Sequence, residues 1–96
     1  AIGGTDSRYG AHRLDLDVFD LCKPDLLFVE FCVNDDPETP DQTLRGIEGV
    51  VRQARGRADA PDVCLLMASS SDDLAVVSRS RLPTNIALHD AVATHY

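Results

Sequence analysis

The densest apolar run in the chain is Leu26-Leu27-Phe28-Val29-Glu30-Phe31-Cys32-Val33, interrupted only by Glu30. Apolar residues at consecutive rather than alternate positions, several of them β-branched or aromatic, predict a strand buried on both faces, as in a parallel sheet. Asn34-Asp35-Asp36-Pro37 brings turn chemistry that stops it. A second, shorter strand is predicted at Val63-Cys64-Leu65-Leu66-Met67, entered from Ala60-Pro61-Asp62 and left through the polar run Ser69-Ser70-Ser71-Asp72. The segment between them is patterned as a helix. Thr39 is placed to be its N-cap, Pro40 its first residue, and Gln42 the reciprocal partner of a capping box. Leu44, Ile47, Val50 or Val51, and Ala54 come next at helical spacing, and Gly56 suits the exit. Strand, helix and strand make one βαβ crossover, expected to be right-handed.

The flanks carry weaker patterns. Tyr9, Leu14, Val18 and Leu21 or Cys22 predict a helix over about residues 8–22, closed by Lys23-Pro24. Thr84 is expected to cap a last helix presenting Leu88, Ala91, Val92 and Tyr96. Ala1-Ile2-Gly3-Gly4 reads as a strand end entering a loop. The order predicts an α/β fold, a three-layer α/β/α sandwich on a flavodoxin-like parallel sheet. Two strands are too few to cover three helices, and the sequence opens on Ala1 and stops inside a helical pattern. Residues 1–96 are therefore expected to be the central part of a single domain, truncated at both ends. No internal repeat, low-complexity tract or linker divides them.

Composition narrows the function classes. The chain of 96 residues is 44% hydrophobic and 26% charged, an ordinary globular balance, so disordered and collagen-like classes are set aside. Nine Lys+Arg against sixteen Asp+Glu give a net charge of −7. An acidic surface repels phosphate backbones, and Arg45, Arg52, Arg55 and Arg57 are diluted by Glu48 and Asp59, so no nucleic-acid partner is expected. No apolar run approaches the ~20 residues of a membrane span, and no signal-peptide pattern opens the sequence. Three cysteines (Cys22, Cys32 and Cys64) are an odd number without a C-x-x-C, so neither a disulfide framework nor a zinc site is expected. The histidines, His12, His89 and His95, are scattered, and the last two fall on different helix faces. No metal or other cofactor is implied.

Chemistry in an open parallel sheet gathers outside the carboxyl ends of its strands. Two places qualify: Gly3-Gly4-Thr5-Asp6-Ser7 after the first strand end, and Asn34-Asp35 after the apolar strand. A glycine loop leaves backbone N–H groups open to a negative ligand, and a side-chain amide adds a second fixed donor. Two such donors converging on one point stabilise charge developing on a carbonyl oxygen during acyl transfer. At these residues the sequence resembles the SGNH or GDSL-type ester hydrolases. Ile2-Gly3-Gly4-Thr5 resembles that family's second block, I-x-G-x-[TS], and Pro24-Asp25-Leu26-Leu27-Phe28-Val29-Glu30-Phe31-Cys32-Val33-Asn34-Asp35 resembles its third, a G-x-N-D closing a P-D-led strand. The glycine of the third block is Cys32 here, a departure that crowds the loop slightly. Gly4 and Asn34, 30 positions apart, suit the family's interval. The likeness is strongest over residues 1–35, and beyond residue 60 it rests on element order alone.

The resemblance implies acyl-ester hydrolysis by a serine nucleophile with a histidine base and an aspartate partner. It makes Gly4 N–H and the Asn34 amide two of three oxyanion donors, and it implies a small acyl ester as substrate, with carbohydrate acetyl esters among the options. The remaining blocks are not in these 96 residues. No G-D-S occurs, and Tyr9, Ile86 and Val92 stand where a D-x-x-H would need an acid before His12, His89 and His95. The nucleophile and the Asp/His pair are therefore expected elsewhere in the parent protein, and the 96 residues alone are expected to be inactive. Asp6-Ser7 followed by Gly10 imitates a worn nucleophile block, but Ser7 precedes Asn34 by only 27 positions, too few for two βα units. Ser69-Ser70-Ser71 lacks elbow glycines and reads as a polar strand exit. His89 and His95 are expected on a helix surface, and Glu30 at a rim or in a hydrogen bond. A non-catalytic ligand-binding module on the same sheet is the alternative. A nucleotide site on Gly3-Gly4 is weak, because neither G-x-G-x-x-G nor a P-loop lysine is present.

Overall fold

The structure, a computed structural model, describes residues 3–35, 38–77, 79 and 81–96. Ala1 and Ile2, expected at a strand end, and Asp36 and Pro37, expected to complete the turn after Asn34, lie outside the described residues. The element order is α1 (Ser7–Leu14) running into a π-helical turn (Asp15–Phe19), β1 (Leu26–Val29), α2 (Pro40–Arg55), β2 (Asp62–Leu65), a 3₁₀ turn (Ser71–Asp73), α3 (Leu74–Val77) and α4 (Thr84–His95). β1 and β2 pair in parallel, Leu26 opposite Asp62 and Val29 opposite Leu65, with α2 as the crossover between them. The fold class is α/β.

α2 forms where the sequence predicts it. The Thr39 hydroxyl accepts from Gln42 N–H, the Gln42 side-chain Oε1 accepts from Thr39 N–H at 3.1 Å, and Pro40 opens the helix. Its buried face carries Ile47, Val50, Val51 and Ala54, and it packs against α1, α4 and β2. Those four residues join Leu14, Phe19, Val29 and Val92 in one core, with Leu27, Val63 and Leu65 pressed against it from the sheet.

Several expectations are corrected. β1 is four residues long, because after Val29 the chain leaves the ladder and residues 32–35 form a turn. β1 is also packed on one face only among the described residues. Leu27 and Val29 meet the helices, while Leu26 and Phe28 are 48% and 61% exposed on the other side. The first helix does not run regularly to residue 22. From Asp15 it widens to i→i+5 bonding (Asp20 N–H to Asp15 O, 2.7 Å), which adds a residue per turn and rotates the chain beyond it. Leu21, expected inward, is 76% exposed, and Cys22 is exposed too. Thr84 is not a cap but the first residue of α4, which Pro83 precedes without a side-chain cap. Ser69-Ser70 does leave the sheet as a polar exit, and then leads into the short α3. No helix among the described residues is long and apolar enough to cross a membrane.

Candidate functional site

Gly4 sits in a turn with φ +73°, a left-handed conformation that L side chains rarely adopt. Nothing lies within 4 Å of where its Cβ would be, so backbone conformation rather than crowding favours glycine here. The loop then enters α1 through Asp6. One Asp6 oxygen accepts from Tyr9 N–H at 2.8 Å as an N-cap, and the other takes Arg8 Nε and Nη2 at 3.2 and 2.8 Å. The Tyr9 N–H above all, with Arg8 beside it, holds the Asp6 carboxyl below its usual value. Arg8 Nη2 also reaches Glu38 Oε2 at 2.8 Å, across the turn that comes after β1.

Asn34 lies in that turn, just beyond the carboxyl end of β1. It is half-buried, and its side-chain amide enters no hydrogen bond among the described residues. The next residue is the centre of the arrangement. Asp35 is 1% exposed, and its carboxylate has two partners from distant segments. Oδ1 accepts from Ser7 N–H at 2.8 Å, and Oδ2 lies 2.8 Å from His89 Nε2. A carboxylate only accepts, so Nε2 is the protonated nitrogen in this pair. One turn before His89, Asn85 donates from Nδ2 to Cys32 O. Asn85 and His89 thus reach from one face of α4 into the turn carrying Asn34.

The structure therefore brings the glycine loop and the Asn34 turn together. Gly4 is three residues before Ser7, Asn34 is one before Asp35, and the Ser7–Asp35 and Arg8–Glu38 bonds join the two loops. Ser7, His89 and Asp35 are the residue types of a nucleophilic triad but do not form one. Ser7 meets Asp35 through its backbone, its Oγ has no hydrogen-bond partner among the described residues, and all three side chains are closed to solvent. Ser7 is a packing residue at the start of α1, seated on Gly46 of α2. The expectation that His89 lies on a helix surface is corrected: it is fully buried. His95 is exposed, and Glu30 stands exposed past the end of β1, at the rim.

A cavity of about 690 Å³ lies elsewhere. It runs along the unpaired side of β1 beside α1 and the π turn, lined by Leu27, Phe28, Phe31, Leu14 and Val18 among others, and touches neither Gly4 nor Asn34. Its walls are mostly apolar, with Arg13, Asp17 and Glu30 as the charged residues among them. Cys32 is buried, its thiol pushed up to about 11, first by burial and then by Glu30 and Asp35, so it is a poor nucleophile. No group of three or more His, Cys, Asp or Glu side chains among the described residues is placed to hold a metal ion.

The described residues thus form an α/β protein in which the turn carrying Asn34 is bonded to the helix start that follows Gly4. Comparison with protein-family models, with curated proteins and with solved structures found no match.

Proposed function

We propose that the chain is the central part of a serine ester hydrolase of the SGNH or GDSL type, acting on small acyl esters such as carbohydrate acetyl esters. In this reading Gly4 N–H and the Asn34 amide are two oxyanion donors. The serine nucleophile, whose own N–H is the third donor, and the histidine–aspartate pair come from outside the 96 residues. The sheet extends to a flavodoxin-like three-layer sandwich. The exposed Leu26 and Phe28 support that extension, since apolar side chains on a sheet face call for a covering layer.

One observation carries the functional reading. In the turn that follows parallel strand β1, five residues past its end, the Asn34 amide is free of hydrogen bonds among the described residues, while its neighbour Asp35 binds that turn through Ser7 to the helix start that follows Gly4. A preorganised, unengaged donor is what stabilises an oxyanion without reorganisation at the moment of reaction.

The test is Asn34→Ala in the full-length protein, with p-nitrophenyl acetate as substrate. Removing one oxyanion donor typically costs ~10²–10³ in kcat, or roughly 3–4 kcal/mol. KM should change little, because the bond strengthens mainly in the transition state. Asn34→Asp should be at least as damaging, since it sets a negative charge beside the developing one. Arg45→Ala, on the exposed side of α2, is the control and should leave kcat unchanged. Unchanged kcat/KM in Asn34→Ala together with lowered thermal stability would make Asn34 a turn residue and end the assignment. Saturable ester binding without any turnover by the wild type would replace the enzyme with a ligand-binding module.

A further inference from the structure

A buried carboxylate and a buried histidine, contributed by segments 54 residues apart, are costly to place unless they are paired and the pairing holds something in position. Here the pair stands immediately beside Asn34. We propose that Asp35 and His89 are positioning residues for the Asn34 amide, an inference that rests on the oxyanion reading of Asn34.

The argument is geometric. Asn34 sits in a short turn, and its half-buried amide makes no hydrogen bond of its own among the described residues, so its aim depends on the backbone that carries it. That backbone is fixed on three sides. Asp35 Oδ1 takes the N–H of Ser7, at the first turn of α1, where the helix dipole favours a negative charge. Asp35 Oδ2 takes His89 Nε2. Asn85, one turn earlier on α4, takes the carbonyl of Cys32 on the other side of Asn34. With both neighbouring segments held, the turn cannot rotate without breaking buried bonds. The Ser7 bond also links this turn to the loop of Gly4, so the same carboxylate sets the spacing of the two donors. Misplacing a reacting or stabilising group by an ångström can cost up to ~10²-fold in rate.

His89 bonds the turn carrying Asn34 through Asp35. Its side chain is closed to solvent, and its Nδ1 has no hydrogen-bond partner among the described residues, so it neither meets substrate nor passes a proton there. His89 should therefore matter to catalysis only while Asn34 is present.

A double-mutant cycle in the full-length protein, with p-nitrophenyl acetate as substrate, tests this. His89→Ala should lower kcat about tenfold with KM nearly unchanged, and the same change in an Asn34→Ala background should lower it by less than about twofold. His89→Gln, whose amide can still donate to Asp35, should recover most of the lost kcat. If His89→Ala does not fold, Asp35→Asn takes its place in the cycle: it keeps an acceptor for Ser7 N–H and loses the carboxylate facing His89. Full additivity would overturn the proposal and leave His89 as a stability residue, even with Asn34→Ala strongly impaired. If Asn34→Ala itself is not impaired, the oxyanion reading fails instead. The two failures are separated by Asn34→Ala, which is impaired in the first and keeps its rate in the second.

Discussion

The approach of α1 to α2 gives a prediction whose sign the structure decides. α2 carries two interior glycines, Gly46 and Gly49, three residues apart on the side that meets α1. Gly→Ala inside a helix is worth about 1 kcal/mol in its favour through propensity alone. At Gly49 a new Cβ would come 3.3 Å from the Ala11 Cβ, a tight contact that a few tenths of an ångström relieves. At Gly46 it would overlap Ser7 Oγ and stand 2.7 Å from Arg8 N and 2.9 Å from Ser7 C. Rotating the serine cannot relieve this, because two of the three atoms are backbone. α1 must move away by more than half an ångström, in a place where Ser7 N–H is also bonded to Asp35. Overpacking costs about 1–3 kcal/mol, and a clash with two backbone atoms belongs in the upper part of that range, about 2–3 kcal/mol. Set against the propensity gain, Gly46→Ala should lose about 1–2 kcal/mol and Gly49→Ala should be neutral or slightly stabilised. In urea unfolding followed by circular dichroism, the Gly46→Ala midpoint should fall by about 0.5–1 M, with the slope unchanged. A Gly46→Ala protein as stable as Gly49→Ala would mean that α1 does not rest on α2 at Ser7, and the route from Gly4 to Asn34 would lose its footing.

Two further predictions use titrating groups. Native protein treated with iodoacetamide at pH 8 should be alkylated at exposed Cys22 but not at buried Cys32, whose thiol is pushed up to about 11, and Cys32 should react once urea is added. Asp6 titrates below the ordinary 3.8, chiefly because Tyr9 N–H stabilises its ionised form, so its contribution to stability is complete above that value and is lost as pH falls through the lowered one. The stability difference between wild type and Asp6→Asn should therefore be flat from pH 7 to about 5 and shrink below pH 4; a difference that grows on acidification would contradict the N-cap assignment.

How much of this fold is legible in the sequence depends on how local each signal is. α2 is readable to the residue at its start, since capping box, first-turn proline and apolar spacing all act within one helix. The apolar run marks β1 but overextends it, because apolarity reports burial and not extended backbone. Cys32 is fully buried yet lies in a turn, and Phe28 lies in the strand yet is exposed. The π turn at Asp15–Phe19 is invisible to patterning: one widened turn shifts the phase of everything after it, and periodicity assumes a constant phase. α4 also departs from its pattern, because two of its buried positions are polar. Its buried face is Asn85, Ile86, His89 and Val92, whereas the apolar pattern points to Leu88, Ala91, Val92 and Tyr96, of which Val92 is buried but Ala91 and Tyr96 are exposed.

That rotation of α4 is the step on which the candidate site turns. Gly4 and Asn34 can be singled out from short motifs, because a glycine loop and a strand-end amide announce themselves by residue type. Asp35 and His89 cannot, since hydrophobic patterning assigns a charged or imidazole side chain to the surface by default. The available signal is weaker: Asn85, His89 and Val92 recur at helical spacing, and two polar residues on a stripe that ends in a core valine imply buried partners elsewhere. Supplying those partners requires the tertiary fold, because the Asp35 carboxylate and the Cys32 carbonyl lie 54 and 53 residues away. The same distance explains what the pairing can do. A bond within one element would stabilise that element alone, whereas bonds from Asp35 to α1 and to α4 make the orientation of Asn34 conditional on both helices being docked. The turn that carries Asn34 is then held in place only when α1 and α4 are both docked.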